Sequence, residues 1–122
     1  MITRVKSVFL YVADQERSYD FYVNKLGFKV HTDAEMRPGA RWLEVIPPHG
    51  QTTITLAAAK DFDRSPGEGS SGFTFSTDDA QQLYQELKAN NVEVTEPVTE
   101  PWATFLHFID PDGHRFLVTE GD

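Results

Sequence analysis

The strongest constraint on this chain is that it states one pattern twice. In VFLYVADQERSYDFYVNKLGFKV, residues 8–30, Val8, Leu10 and Val12 alternate with Phe9 and Tyr11, the period of two that puts successive side chains on opposite faces of a strand. Asp14 then reads as a helix N-cap, with Glu16 in the first turn. Tyr19, Tyr22, Val23 and Leu26 have the spacing of one buried helical stripe. Gly27 supplies the left-handed stop. In FTFSTDDAQQLYQELKANNVEV, residues 73–94, Phe73 and Phe75 alternate with Gly72, Thr74 and Ser76. Asp78 or Asp79 caps a helix whose stripe is Ala80, Leu83, Tyr84 and Leu87. Asn91 stands in for Gly27, since Asn tolerates the left-handed conformation better than other side chains.

Each copy continues as three short strands, at 28–33, 41–46 and 52–57 in the first half and at 93–95, 103–109 and 115–119 in the second. The expectation is an α+β fold of two βαβββ modules, about 1–59 and 72–122, within a single domain spanning 1–122. Residues 60–71, KDFDRSPGEGSS, read as an exposed linker. A module of about fifty to sixty residues buries little core alone, so the two should pack together or exchange partners across a dimer.

Nineteen acidic side chains against eleven basic give a formal charge of −8. A field of that sign disfavours nucleic acid and anionic membrane, and mildly favours cationic or neutral small ligands. The absence of cysteine removes disulfides, thiolate ligands and a Cys nucleophile together. The apolar run 8–13 is too short for a signal-peptide core, and the expectation is a soluble, cytoplasmic protein. No Lys-Ser/Thr pair follows the glycines of the linker as a phosphate loop requires. No serine has a nucleophile-elbow context.

One helix can cover only one face of each sheet. The alternation puts Val8, Leu10, Val12, Leu43, Val45, Ile54, Leu56, Phe73, Phe75, Leu106, Phe108, Phe116 and Val118 on the helix side. The other face carries Ser7, Phe9, Tyr11, Trp42, Glu44, Thr53, Thr55, Gly72, Thr74, Ser76, Phe105, His107, Arg115, Leu117 and Thr119. Aromatics mixed with hydroxyls and few ionisable groups are the usual lining of a small-molecule site.

The duplicated unit, the D…S..FY…LGF pattern (Asp14, Ser18, Phe21, Tyr22, Leu26, Gly27, Phe28) and the DPDG turn (Asp110 to Gly113) together resemble the vicinal oxygen chelate superfamily. Its members include glyoxalase I, extradiol dioxygenases, and fosfomycin- and bleomycin-resistance proteins. The resemblance covers nearly the whole chain. It implies two mixed sheets curled into a cup that holds the site, commonly in a homodimer. Metal-using relatives place His, Gln or Glu at four cup positions, which fall here on Ser7, Thr55, Gly72 and Leu117. None is a competent divalent-metal ligand beyond the two neutral hydroxyls. The expectation is therefore no metal and no cofactor.

The remaining ionisable groups read differently from one another. His31, His49 and His114 are expected to be solvated, His114 because it sits in the turn itself, and Glu120 to be frayed surface. His107 shares the cup face with Phe105, where fosfomycin-resistance relatives carry a substrate-contacting tyrosine. Glu44 alternates with Trp42 on the same face. These two are the candidate catalytic or anchoring groups.

The expected ligand set is Phe9, Tyr11, Trp42, Glu44, Thr55, Thr74, Phe105, His107 and Leu117, around a small organic molecule such as an antibiotic or xenobiotic. The resemblance also keeps open an enzyme, whether lyase, isomerase or dioxygenase, using metal-free acid/base chemistry or a non-standard metal site.

Overall fold

The computed structural model describes residues 1–69 and 72–121. It divides into two compact units, Met1–Ser70 and Ser71–Asp122. In the first unit the order is β1 (Ser7–Val12), α1 (Gln15–Tyr19) running into a π-helical turn (Asp20–Lys25), β2 (Lys29–Arg37), β3 (Ala40–Ile46) and β4 (Thr53–Ala58), followed by a 3₁₀ turn (Ala59–Asp61). In the second it is β5 (Thr74–Thr77), α2 (Ala80–Ala89), β6 (Glu93–Val94), β7 (Val98–Glu100), β8 (Ala103–Ile109) and β9 (Arg115–Glu120).

Among the described residues the strands form two mixed sheets with one topology. The first is ordered β1-β4-β3-β2 and the second β5-β9-β8-β6, with β7 also on β8. The first strand of each unit pairs in parallel with the last, β1 with β4 and β5 with β9, and the other pairs are antiparallel. A helical crossover is what a parallel pair requires.

The expected helix-side residues Leu10, Val12, Leu43, Val45, Ile54, Leu56, Leu106, Phe108, Phe116 and Val118 are all buried. Asp14 caps α1 by accepting from the amides of Glu16 (2.9 Å) and Arg17 (3.3 Å). Of the two aspartates open to the second helix, Asp79 is the cap, accepting from the Gln82 amide at 3.0 Å. Asn91 takes φ +61, and the Val92 amide reaches back to the Leu87 carbonyl at 2.9 Å, closing a Schellman stop.

The first helix departs from the expected stripe. Leu26 N–H bonds the Phe21 carbonyl at 3.0 Å, the i→i+5 spacing of a π turn. Ser18, Phe21 and Tyr22 are buried while Tyr19, Val23 and Leu26 are only partly so, a stripe that starts one residue ahead of the expected one. Gly27 still ends the helix, at φ +79.

The strand expected at 93–95 is shorter, and a second one, β7, follows it. Both lie along β8, but the register moves by one residue between Val94↔Phe108 and Val98↔Phe105. Pro97 lies in this gap and has no N–H to give to a ladder.

Residues 60–69 are mostly exposed, as a linker would be, yet they are tied to β1. Tyr11 N–H bonds the Glu68 carbonyl (2.9 Å), Gly67 N–H bonds the Tyr11 carbonyl (2.8 Å), and Gly69 bridges to Leu10. The outer edge of β1 is thereby covered, which is one way a sheet avoids presenting unpaired backbone. Gly69 is required there. It has φ +108, and a Cβ would stand 2.6 Å from the Phe9 carbonyl oxygen.

Candidate functional site

The two candidate ionisable groups occupy the same place in the two units. Glu44 is in register with Thr55 across β3–β4, and His107 with Leu117 across β8–β9. Thr55 and Leu117 are in turn in register with Phe9 and Thr74 on the first strands. On the outer side each group faces an irregularity. Between Val30↔Val45 and Thr32↔Glu44 one extra residue, His31, is inserted. Opposite His107 lies Thr95, just before the register step of β6–β7. Such bulges re-aim side chains and are common beside functional sites.

In the first unit the bulge turns donors onto Glu44, which is buried at 7 % exposure. Thr53 Oγ1 donates to its carboxylate at 3.3 Å, and His31 Nδ1 stands 3.4 Å away. Burial pushes the carboxyl up, but hydrogen bonds from Thr32, Trp42 and His31, with the His31 charge, outweigh it and hold Glu44 below the ordinary carboxylate range. An acid so held stays ionised near neutrality and is a poor proton donor. Its hydrogen bonds come from within the protein, from Thr53 and the side chains beside the bulge. His31 is exposed, as expected.

Around Glu44 the open face is aromatic. Phe9 meets Trp42 edge-on at 5.6 Å and Tyr11 at 6.2 Å between centroids. Since β1 and β3 are separated by β4, roughly 9.6 Å at two strand spacings, Phe9 and Trp42 must lean together above β4. That explains why Thr55 and Ala57 beneath them are buried at 0 % and 2 % exposure. The Thr55 hydroxyl has no hydrogen-bond partner among the described residues.

Two residues missed in the sequence complete this wall. Phe62 packs at 6.1 Å on Phe9 and 5.9 Å on Tyr11, and the Arg64 guanidinium lies over the Tyr11 ring at 5.2 Å. Both come from the segment tied to β1. An aromatic residue among charged neighbours in a presumed linker was the available signal.

The second unit opens a hollow of about 390 Å3 lined by Trp102, Ala103, Phe105, His107, Leu117 and Thr119. Trp102 stacks obliquely on Phe105 at 5.7 Å, and Phe105 meets the His107 ring edge-on at 6.0 Å. The backbone of His107 is clamped by Thr95. The His107 amide donates to Thr95 Oγ1 at 2.9 Å, and the Thr95 amide donates to the His107 carbonyl at 2.9 Å. Burial, and then the charge of Arg115, push the imidazole below its ordinary pKa, so it is neutral at pH 7 and offers one donor and one acceptor. Thr74 shares this face but is exposed and does not line the hollow. Trp102, unforeseen in the sequence, is 63 % exposed.

A hollow of similar size, about 410 Å3, is lined by Gln15, Asp33, Glu35, Arg41, Lys60 and Asp61 among others. It lies on the helix side of the first sheet, where Arg41 pairs with Asp33 at 2.8 Å and with Glu16. Its strongest cation is already engaged by these two carboxylates.

The expectation for His114 and Glu120 is corrected. The His114 side chain is 1 % exposed, and its Nδ1 lies 2.7 Å from Asp110 Oδ2. The other carboxylate oxygen accepts the amides of His114 (2.8 Å) and Asp112 (3.0 Å). The turn folds its polar side chains inward because these amides need an acceptor. Glu120, exposed though it is, accepts the Ala80 amide at 2.8 Å and so secures the start of α2.

At the four positions where metal-using relatives carry ligands, Ser7 is half-buried, Thr55 buried, Gly72 exposed and Leu117 half-buried. This donor set does not fit a divalent metal, which needs several N or O donors converging. Among the described residues no three His, Asp or Glu side chains gather as such a cluster.

Residues 4–118 match the family model of the Glyoxalase/Bleomycin resistance protein/Dioxygenase superfamily. The chain belongs to this superfamily. It is 34% identical to the protein YetH of Bacillus subtilis (strain 168), over 98% of this chain and 100% of that one. It is 28% identical to the metallothiol transferase FosB of Staphylococcus saprophyticus, over 99% and 79%. Among solved structures it is similar to a superfamily member from Sphaerobacter thermophilus DSM 20745, with TM-score 0.90 and 34% identity over 99% of each chain. It is also similar to TnmS3, an antibiotic binding protein from Streptomyces sp. CB03234, with TM-score 0.86 and 30% identity over 99% of this chain and 98% of that one. No helix among the described residues is long and apolar enough to cross a membrane.

Proposed function

We propose that this superfamily member binds a small organic ligand, of the antibiotic or xenobiotic kind, on the open sheet faces without a bound metal, and works as a homodimer. The observation that carries the reading is the hollow walled by Trp102, Phe105 and Leu117, with the His107 imidazole, the Thr119 hydroxyl and the Trp102 indole N–H as its polar groups. Its size falls in the range of organic-ligand sites, roughly 300–1,000 Å3. The aromatic wall of Phe9, Tyr11, Trp42 and Phe62 gives the first unit a matching apolar surface. The donor set at the family's metal positions supports a metal-free mode, and the likeness to an antibiotic binding protein supports the ligand class.

A second reading, metal-free proton transfer with His107 as base, is favoured by the neutral imidazole opening onto the hollow. Glu44 does not serve it as the acid, because its carboxylate is held ionised.

The test is a calorimetric screen of aromatic antibiotics against chelator-treated protein, repeated with Trp102→Ala. Saturable binding that weakens in the variant supports the proposal. No binding across the panel, or binding indifferent to Trp102, overturns it. Turnover of a bound compound that stops in His107→Gln would move the assignment to the second reading.

A further inference from the structure

From the hollow of the second unit we infer a narrower ligand class: a flat aromatic ring system bearing a hydroxyl of phenol or enol type, seated on Trp102, Phe105 and Leu117 with that hydroxyl on His107. The inference rests on the proposed small-molecule binding and specifies its chemistry. Three features of the hollow lead to it.

The walls are apolar and mostly planar. Phe105 and Thr119 are directly opposed across β8–β9, as are His107 and Leu117, so four side chains make a two-by-two floor on one face of the sheet. Trp102 rises beside Phe105 from the turn before β8. A flat apolar body covers such a floor with little lost freedom, and stacking on Trp and Phe adds to simple burial.

The polar groups are few and neutral. Three side chains of the lining can form hydrogen bonds, the imidazole of His107, the hydroxyl of Thr119 and the indole N–H of Trp102, and of these only the imidazole and the hydroxyl can accept one. Among the described residues no hydrogen bond engages the His107 ring, and Thr95 fixes its backbone. A ligand that buries this ring without a hydrogen-bonding group would leave it unsatisfied, which costs more than a made bond contributes.

The local charge selects among hydrogen-bonding groups. No carboxylate is among the described residues that line the hollow, and Arg115, two residues along β9 from the Leu117 that is in register with His107, is the charge that acts on the imidazole. A cationic group set there meets a positive field and no counter-ion. A weakly acidic hydroxyl donates to the imidazole lone pair, and the same field favours the partial negative charge on its oxygen. The overall charge of −8 points toward cations, but this hollow does not.

The experiment is isothermal titration of the full chain with three probes of matched size: 2-naphthol, 2-methylnaphthalene and 1-naphthylmethylammonium. The expected order puts 2-naphthol about tenfold tighter than 2-methylnaphthalene, the worth of one net hydrogen bond to a buried partner, and the ammonium weakest. His107→Phe keeps a ring in place and should erase the preference for naphthol over 2-methylnaphthalene, with continued binding of 2-methylnaphthalene showing that the hollow is still formed. Chemical-shift changes on naphthol binding should centre on the His107 ring and the Trp102 indole. Equal affinity for naphthol and methylnaphthalene, a preference that survives in His107→Phe, or tightest binding by the ammonium would overturn the inference while leaving small-molecule binding standing. Failure of all three probes to bind would overturn both.

Discussion

Replacing His114 by Ala should destabilise the protein by about 2–4 kcal/mol. The imidazole is 1 % exposed and its Nδ1 stands 2.7 Å from a carboxylate that is itself fully buried. A hydrogen bond to a charged group contributes about 1.5–3 kcal/mol, and removing one partner leaves the other to bear its desolvation. The ring also packs nearly parallel to Phe116 at 6.2 Å, so truncation opens a cavity beside the core of β9 and adds about 1 kcal/mol. Asp110 keeps two backbone donors, the amides of Asp112 and His114, which is why the loss should stop short of the largest values known for broken buried pairs, about 5 kcal/mol. Urea denaturation of wild type, His114→Ala and His114→Asn at pH 7 is the assay. The Ala variant should have a clearly lower midpoint at unchanged slope, and Asn, which can still donate to Asp110, should recover part of the loss. A His114→Ala midpoint within error of wild type would show that the turn does not depend on this pair, and the argument would fail.

Three further outcomes follow from the same structure. Glu44→Gln should flatten the acid limb of stability: because the folded Glu44 pKa is depressed, its contribution is present above the unfolded value near 4.5 and is lost as pH falls through the folded value. Denaturation midpoints of wild type and variant should thus converge on acidification below about pH 4.5, and parallel pH curves would contradict this. Gly69→Ala should cost about 1–3 kcal/mol, since φ +108 and a 2.6 Å approach to the Phe9 carbonyl leave no room for a Cβ; it should also raise amide exchange at Gly67 and Tyr11, and unchanged protection would count against the strap. The His107 ring should titrate by NMR below the ordinary histidine value of 6.5 and move upward in Arg115→Gln; a midpoint at or above 6.5 in wild type would refute the neutral-imidazole assignment.

The parts legible in the sequence are those governed by local periodicity and caps. Alternation placed Leu10, Val12, Leu43, Val45, Leu106 and Val118 correctly on the buried face, and Asp14, Gly27 and Asn91 marked helix ends because few residue types meet those backbone demands. The π turn escaped because its signature is a backbone insertion that side-chain spacing does not report, and only Tyr22 belongs to both the expected and the observed stripe. His114 escaped because a polar residue in a turn is usually solvated; only its distance to Asp110 shows that the turn packs inward. The strap over β1 depends on backbone bonds from Tyr11 to Gly67 and Glu68, which composition cannot reveal. Parity alone put Phe9, Tyr11 and Trp42 on one face of the first sheet and Phe105, His107 and Leu117 on one face of the second, whereas Phe62 and Trp102 lie outside the strands of the candidate faces and carry no periodic signal.

The most direct test of metal-free ligand binding is to take the tightest aromatic ligand from the screen and measure its Kd in chelator, then after adding back Ni, Mn, Zn or Fe, with bound metal counted by elemental analysis. An unchanged Kd and a metal content far below one per chain are predicted. Binding that appears only with stoichiometric metal would contradict the central claim.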